Sequence, residues 1–221
     1  MGTYYLIGII AFVASLAIQG WLKNTYGKWS QKANTAGLSG RDVALAILQA
    51  NGITDVQVEA VRGELTDHYD PTKKVVRLSE GNYARPSVAG MAVAAHEVGH
   101  AIQHAKGYSA LRIRNALLPV ANIGSQFGPI LAIVGIVLGA SGLAQIGVWL
   151  FAAAVLFQLV TLPVEFDASR RALTNLNQLG LVTSTDQGGA RSVLTAAAMT
   201  YVAAAATSVA YLLHFLNISR D

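Results

Sequence analysis

The chain has 221 residues, a formal charge of +4 and no cysteine. Hydrophobic residues make up 53% and charged residues 13%, with a mean hydropathy of +0.43. These values exclude a disulfide framework and a thiolate metal site, and they are too apolar for an ordinary soluble domain. No Lys/Arg run interleaved with aromatics points to nucleic acid.

Tyr4 to Leu22 is an uncharged apolar stretch of 19 residues, long enough to cross a bilayer as a helix. No Lys or Arg precedes Lys23, so the stretch reads as an uncleaved membrane span rather than a secretory signal. Tyr4, Tyr5 and Trp21 fit interfacial anchors at its two ends.

Residues 23–112 are the polar part. Ser39-Gly40-Arg41-Asp42 has the form of a capping box, with Asp in place of Glu, and predicts a helix ending near Gly52. Val56–Val61 alternates with period two and predicts a strand. Leu65–Tyr69, the turn Asp70-Pro71-Thr72-Lys73 and Lys74–Ser79 predict a hairpin. The outer strand of such a sheet is either an ordinary edge or a place where an extended peptide adds as a further strand.

A helix over 88–106 follows, with Ser87 to cap it and Gly107 to end it. It contains His96-Glu97-Val98-Gly99-His100, an H-E-x-x-H motif. Histidines four apart share one helix face, so His96 and His100 can hold one Zn²⁺. Glu97 is placed to act on the attacking water rather than to bind the metal. Val88 to Ala95 is apolar, so these three polar residues interrupt a stretch that otherwise reads as buried.

Residues 115–138, broken by Pro119 and Pro129, form a second apolar stretch, and residues 143–162 a third that leads into a site helix over 163–180. Residues 192–216 form a fourth. Four spans place every Lys and Arg except Arg220 on one side, which the positive-inside rule makes cytoplasmic. The expectation is a multi-pass plasma-membrane protein with its site facing the cytoplasm and both termini outside. Its fold class is a mainly α integral membrane protein, one domain of four transmembrane helices plus a small α+β metallopeptidase core.

A catalytic zinc takes three protein ligands and keeps one position open. The candidates for the third are His104, Glu165, Asp167 and His68. His104 lies about 12 Å along a continuous helix from His96, at about 1.5 Å per residue, too far to share the metal unless the helix breaks after His100, so it is read as supporting a ligand or lying on the surface. Carboxylates at the end of a membrane helix need a partner, so Glu165 is read as the ligand, with Asp167 orienting a ligand histidine. The alternative for these acids is salt bridges to Arg170 and Arg171.

The H-E-x-x-H segment through Gln103, the hairpin His68-Tyr69-Asp70-Pro71 and the segment Glu165-Phe166-Asp167-Ala168-Ser169 together resemble the YugP-type membrane zinc metallopeptidases of bacteria. The resemblance implies an integral-membrane neutral zinc peptidase. A more distant similarity is to the HtpX and CAAX-processing membrane proteases, whose Glu ligand lies in an E-x-x-A-D pattern. Here Ser169 stands where that group has Asp.

The expected activity is hydrolysis of peptide bonds in membrane-associated or misfolded proteins, with Zn²⁺ on His96, His100 and Glu165 and Glu97 as general base. Oxyanion donors are open among His68, Tyr108, Arg170 and Arg171. The expected partners are a protein or peptide substrate and the bilayer, with the oligomeric state open. The rival readings are a catalytically silent zinc-bearing scaffold and a metal transporter. An intact Glu97 speaks against the first. The lack of an Asp, Glu or His chain at mid-membrane depth speaks against the second.

Overall fold

A computed structural model describes residues 2–218, with side chains from residue 5. The Tyr4 side chain and Arg220 therefore lie outside the described residues. The elements run α1 (Gly2–Ser30), α2 (Gly40–Ala50), β1 (Gln57–Val61), β2 (His68–Asp70), β3 (Val75–Ser79), α3 (Glu80–Ala84), α4 (Val88–Ala105), α5 (Ser109–Val137), α6 (Ser141–Gln178) and α7 (Ser184–Ile218). Four of them, α1, α5, α6 and α7, are long and apolar enough to cross a membrane. The protein is mainly α, with four candidate membrane helices and one three-stranded sheet among the described residues.

The chain divides into two compact units. One comprises the stretches 2–19, 109–163 and 199–218. Within it α5 and α6 approach closely through glycines. A Cβ on Gly124 would sit 2.0 Å from Leu150 O, and one on Gly147 would sit 2.2 Å from Ala132 N. Small residues at such crossings are the membrane route to tight packing, because burial from water supplies no drive there. Pro119 and Pro129 lie inside α5, and Pro163 inside α6, without ending either helix. Large apolar side chains such as Ile9, Val137, Trp149 and Leu213 remain exposed, as a lipid-facing surface requires.

The other unit comprises 20–108 and 164–198. The capping box forms as expected: Ser39 Oγ accepts from Asp42 N at 3.2 Å, and Ser39 N donates to Asp42 Oδ2 at 3.1 Å. The sheet order is β1-β3-β2, with β1 parallel and β2 antiparallel to the central β3. The hairpin's first strand is shorter than its sequence pattern. Leu65 adopts φ 57°, outside the strand region, and Asp67 turns its carboxylate to Ser79 N at 2.7 Å and Asn82 Nδ2 at 3.0 Å. The core joins Val43 and Ile47 of α2, Leu78 of β3, Met91 and Val98 of α4, Leu176 of α6 and Val193 of α7.

Candidate metal centre

α4 starts where Ser87 Oγ accepts from Gly90 N at 3.0 Å, and it runs unbroken past His100 to Ala105. Gly99 sets how near α6 comes. A Cβ there would lie 2.6 Å from Ala168 O, so backbone meets backbone one residue before His100. This close approach brings Glu165 onto the histidines. Glu165 Oε2 lies 3.3 Å from His96 Nε2 and 3.7 Å from His100 Nε2. The three donors are a compact group, with ligand atoms all within 4.8 Å of one another.

Ligand atoms at about 2.0–2.1 Å from a tetrahedral zinc stand roughly 3.3 Å apart. The Glu165–His96 spacing of 3.3 Å matches that geometry, the Glu165–His100 spacing of 3.7 Å is wider, and the group as a whole, within 4.8 Å, would draw in around the ion. Two imidazoles and a carboxylate are also a donor set that zinc accepts.

The free nitrogens are held too. His100 Nδ1 is 3.0 Å from Gln103 Oε1. Gln103 is fully buried, and its Nε2 donates to Val164 O at 2.8 Å and Asp167 Oδ2 at 3.0 Å. Both of those partners are acceptors, which fixes the amide's sense and makes His100 Nδ1–H the donor to Oε1. In the neutral ring His100 Nε2 is then the unprotonated nitrogen, the one that would bind a metal. His96 Nδ1 is 3.1 Å from Ser169 Oγ, and Nδ1–H donating there leaves its Nε2 equally available.

Glu97 is buried, 8% exposed. Burial pushes its carboxyl above the ordinary range, against the opposing pull of His96 and His100. Burial acts to lower the His100 imidazole, but the Glu165 hydrogen bond and the Glu97 charge outweigh it and hold the ring above its ordinary value.

The remaining expected residues are placed otherwise. Asp167 touches neither histidine. It pairs with Arg170 and Arg171 and accepts from Gln103. Residues two apart on a helix point about 200° apart, so Asp167 cannot share Glu165's face, whereas Ser169 at i+4 does. This corrects the expectation that Asp167 bonds a ligand histidine: it acts one step away, through Gln103. His104 is exposed and bonds Tyr69 Oη at 2.8 Å through Nδ1. His68 Nδ1 is 2.8 Å from Thr66 O, and its Nε2 is 3.3 Å from Arg77 Nη1. Tyr108 lies with its ring 5.9 Å from the Arg171 guanidinium. Among the described residues, none of these joins the three-donor group.

Sequence reasoning missed Gln103 and Ser169 as partners of the histidines. Both were signalled. Gln103 is three residues after His100, and Ser169 is four residues after Glu165, on the same helix face.

Residues 4–220 match the family model described as "Putative neutral zinc metallopeptidase". The chain belongs to this family. "Putative membrane protease YugP" of Bacillus subtilis (strain 168) is 45% identical over 217 residues, 96% of each chain. No solved structure matches. Membership of a zinc metallopeptidase family, one relative being named as a membrane protease, agrees with the three-donor group and with the four apolar helices.

Proposed function

We propose that the protein is a membrane-embedded zinc endopeptidase acting on membrane-associated or misfolded proteins. The observation that supports this most is the convergence of His96 Nε2, His100 Nε2 and Glu165 Oε2 at zinc-ligand spacing beside the buried Glu97. His96, His100 and Glu165 would hold the metal. Zinc, when bound there, supplies Lewis acidity toward water and the peptide carbonyl.

Glu97 takes the proton from the attacking water and delivers it to the leaving amine. A carboxyl held above its ordinary range by burial is a better proton acceptor for that task. Gln103 and Ser169 hold the two imidazoles in the tautomer that leaves Nε2 free.

The four apolar helices cross the plasma membrane. The excess of Lys and Arg in 23–114 and 165–191 faces the cytoplasm, and both termini face outward. The whole chain acts as one metallopeptidase domain.

The test is turnover of a fluorescently labelled unfolded protein by detergent-purified, zinc-loaded enzyme, wild type beside Glu97→Gln. Cleavage by wild type and its loss in Glu97→Gln, with zinc content unchanged, is the expected result. Equal cleavage by both would remove Glu97 from the mechanism. Zinc without turnover in wild type would point to a silent scaffold.

A further inference from the structure

Away from the three-donor group, a groove of about 490 Å³ lies between α1 and α7. Trp21, Asn24, Thr25 and Lys28 line it from α1, and Arg191, Ser192 and Thr195 line it from α7. The α1 residues follow i, i+3, i+4, i+7 and the α7 residues i, i+1, i+4, so each set occupies one helix face. Trp29 closes one wall. Its ring lies against α7 at Gly189, where a Cβ would come within 2.5 Å of it, so glycine is what lets the indole seat. Lys28 Nζ and Lys32 Nζ lie 5.2 and 4.9 Å from that ring.

The charge in the groove is unbalanced. No carboxylate lines it, and among the described residues neither Lys28 nor Arg191 forms an ion pair. Its other polar groups are the hydroxyls of Thr25 and Thr195 and the Asn24 amide, which are neutral donors, and Ser192, whose hydroxyl donates to Gly188 O at 2.7 Å. Two cations with hydroxyl and amide donors and no acid form a site for an anion bearing several acceptor oxygens, a phosphodiester or phosphate.

Its level on the helices selects the source. α1 carries no charge before Lys23, and α7 carries no Lys, Arg, Asp or Glu from Ser192 to Ile218. The groove therefore sits where both helices pass from charged to uncharged. Trp21, 45% exposed, marks that boundary as interfacial indoles do. A phosphate held at Lys28 and Arg191 would be continuous with an acyl chain lying along the apolar part of α1.

We propose that this groove binds the headgroup of an anionic phospholipid, with Lys28 and Arg191 on the phosphate and Trp21 against the upper acyl chain. The site stands apart from the peptidase reading, and its test does not need turnover.

The experiment is native mass spectrometry of the full chain released from detergent containing equimolar phosphatidylglycerol and phosphatidylcholine. Wild type should retain one phosphatidylglycerol with roughly tenfold preference or more, as two interfacial cations would give. Lys28→Gln/Arg191→Gln should lose that preference, while Lys73→Gln/Arg62→Gln, outside the groove, should keep it. An unchanged thermal unfolding midpoint in the first variant shows that it has folded. Equal retention of the two lipids by wild type, or an unaltered preference in Lys28→Gln/Arg191→Gln, overturns the proposal. Displacement of the lipid by excess inorganic phosphate also overturns it, in favour of a soluble phosphate ligand.

Discussion

Gln103 Oε1 lies 3.0 Å from His100 Nδ1, and the opposite side of the same amide is bound to Val164 O and Asp167. One buried side chain thus ties the motif helix to the segment that brings Glu165. Replacing it with methionine keeps the volume but removes the acceptor. Gln103→Met should weaken zinc binding by about 10–100-fold, the usual cost of losing an outer partner of a metal-bound histidine. Competition with a chromogenic chelator measures this directly. Unchanged affinity would mean that His100 needs no such support.

Ser169 makes a parallel prediction for His96. Ser169→Ala removes one neutral hydrogen bond of 3.1 Å, so the expected loss of zinc affinity is smaller, near the low end of the same range. Ser169→Asp, which puts a charged acceptor at the same position, should bind zinc at least as tightly as wild type. The same competition assay reads both.

Gly99 is where α4 and α6 touch through their backbones. A Cβ there would stand 2.6 Å from Ala168 O and 3.1 Å from its Cα, with no flexible side chain to yield. Gly99→Ala should destabilise the fold by about 1–3 kcal/mol, the typical cost of overpacking, and should lower zinc content by displacing Glu165. Thermal unfolding in detergent, with and without zinc, separates the two effects.

Metal-free protein should lose stability as pH rises. Glu97 is raised above its ordinary 4.5, so its contribution is full below that pH and is lost as pH climbs through the raised value. His100 is raised above 6.5, so its contribution is full below 6.5 and is likewise lost on going higher. Glu97 acts from about pH 4.5 upward, and His100 adds to it in the same direction from about 6.5 upward. The Tm of chelator-treated protein should fall across that window, and added zinc should restore it most at the alkaline end, where protons no longer balance the site. A flat or rising Tm without metal would contradict this account of the site's charges.

Much of this was legible in the chain. H-E-x-x-H fixes its own geometry because residues four apart share a helix face, and Ser39 and Ser87 cap helices where their side chains predict it. Four uncharged stretches gave the membrane helices, although each helix runs beyond its apolar part. α1 continues to Ser30 and α7 begins at Ser184, because charge limits a span but not a helix. The partner of each histidine was not legible from composition. It depends on which face of α6 meets α4, and that is decided by the contact between Gly99 and Ala168. Asp167 was read as the supporting group because it is the nearest carboxylate in sequence. On a helix, the residue four along is nearer to Glu165's face than the residue two along.

In the proposed site Glu165 completes a metal centre with two histidines that lie far from it in sequence. Zinc content of detergent-purified protein tests it most directly, with wild type beside Glu165→Ala and His104→Ala. About one zinc per chain is expected in wild type and in His104→Ala, as a single catalytic site requires, and its loss in Glu165→Ala. Zinc retained in Glu165→Ala but lost in His104→Ala would contradict it, since His104 would then have to reach the metal that the unbroken helix keeps from it.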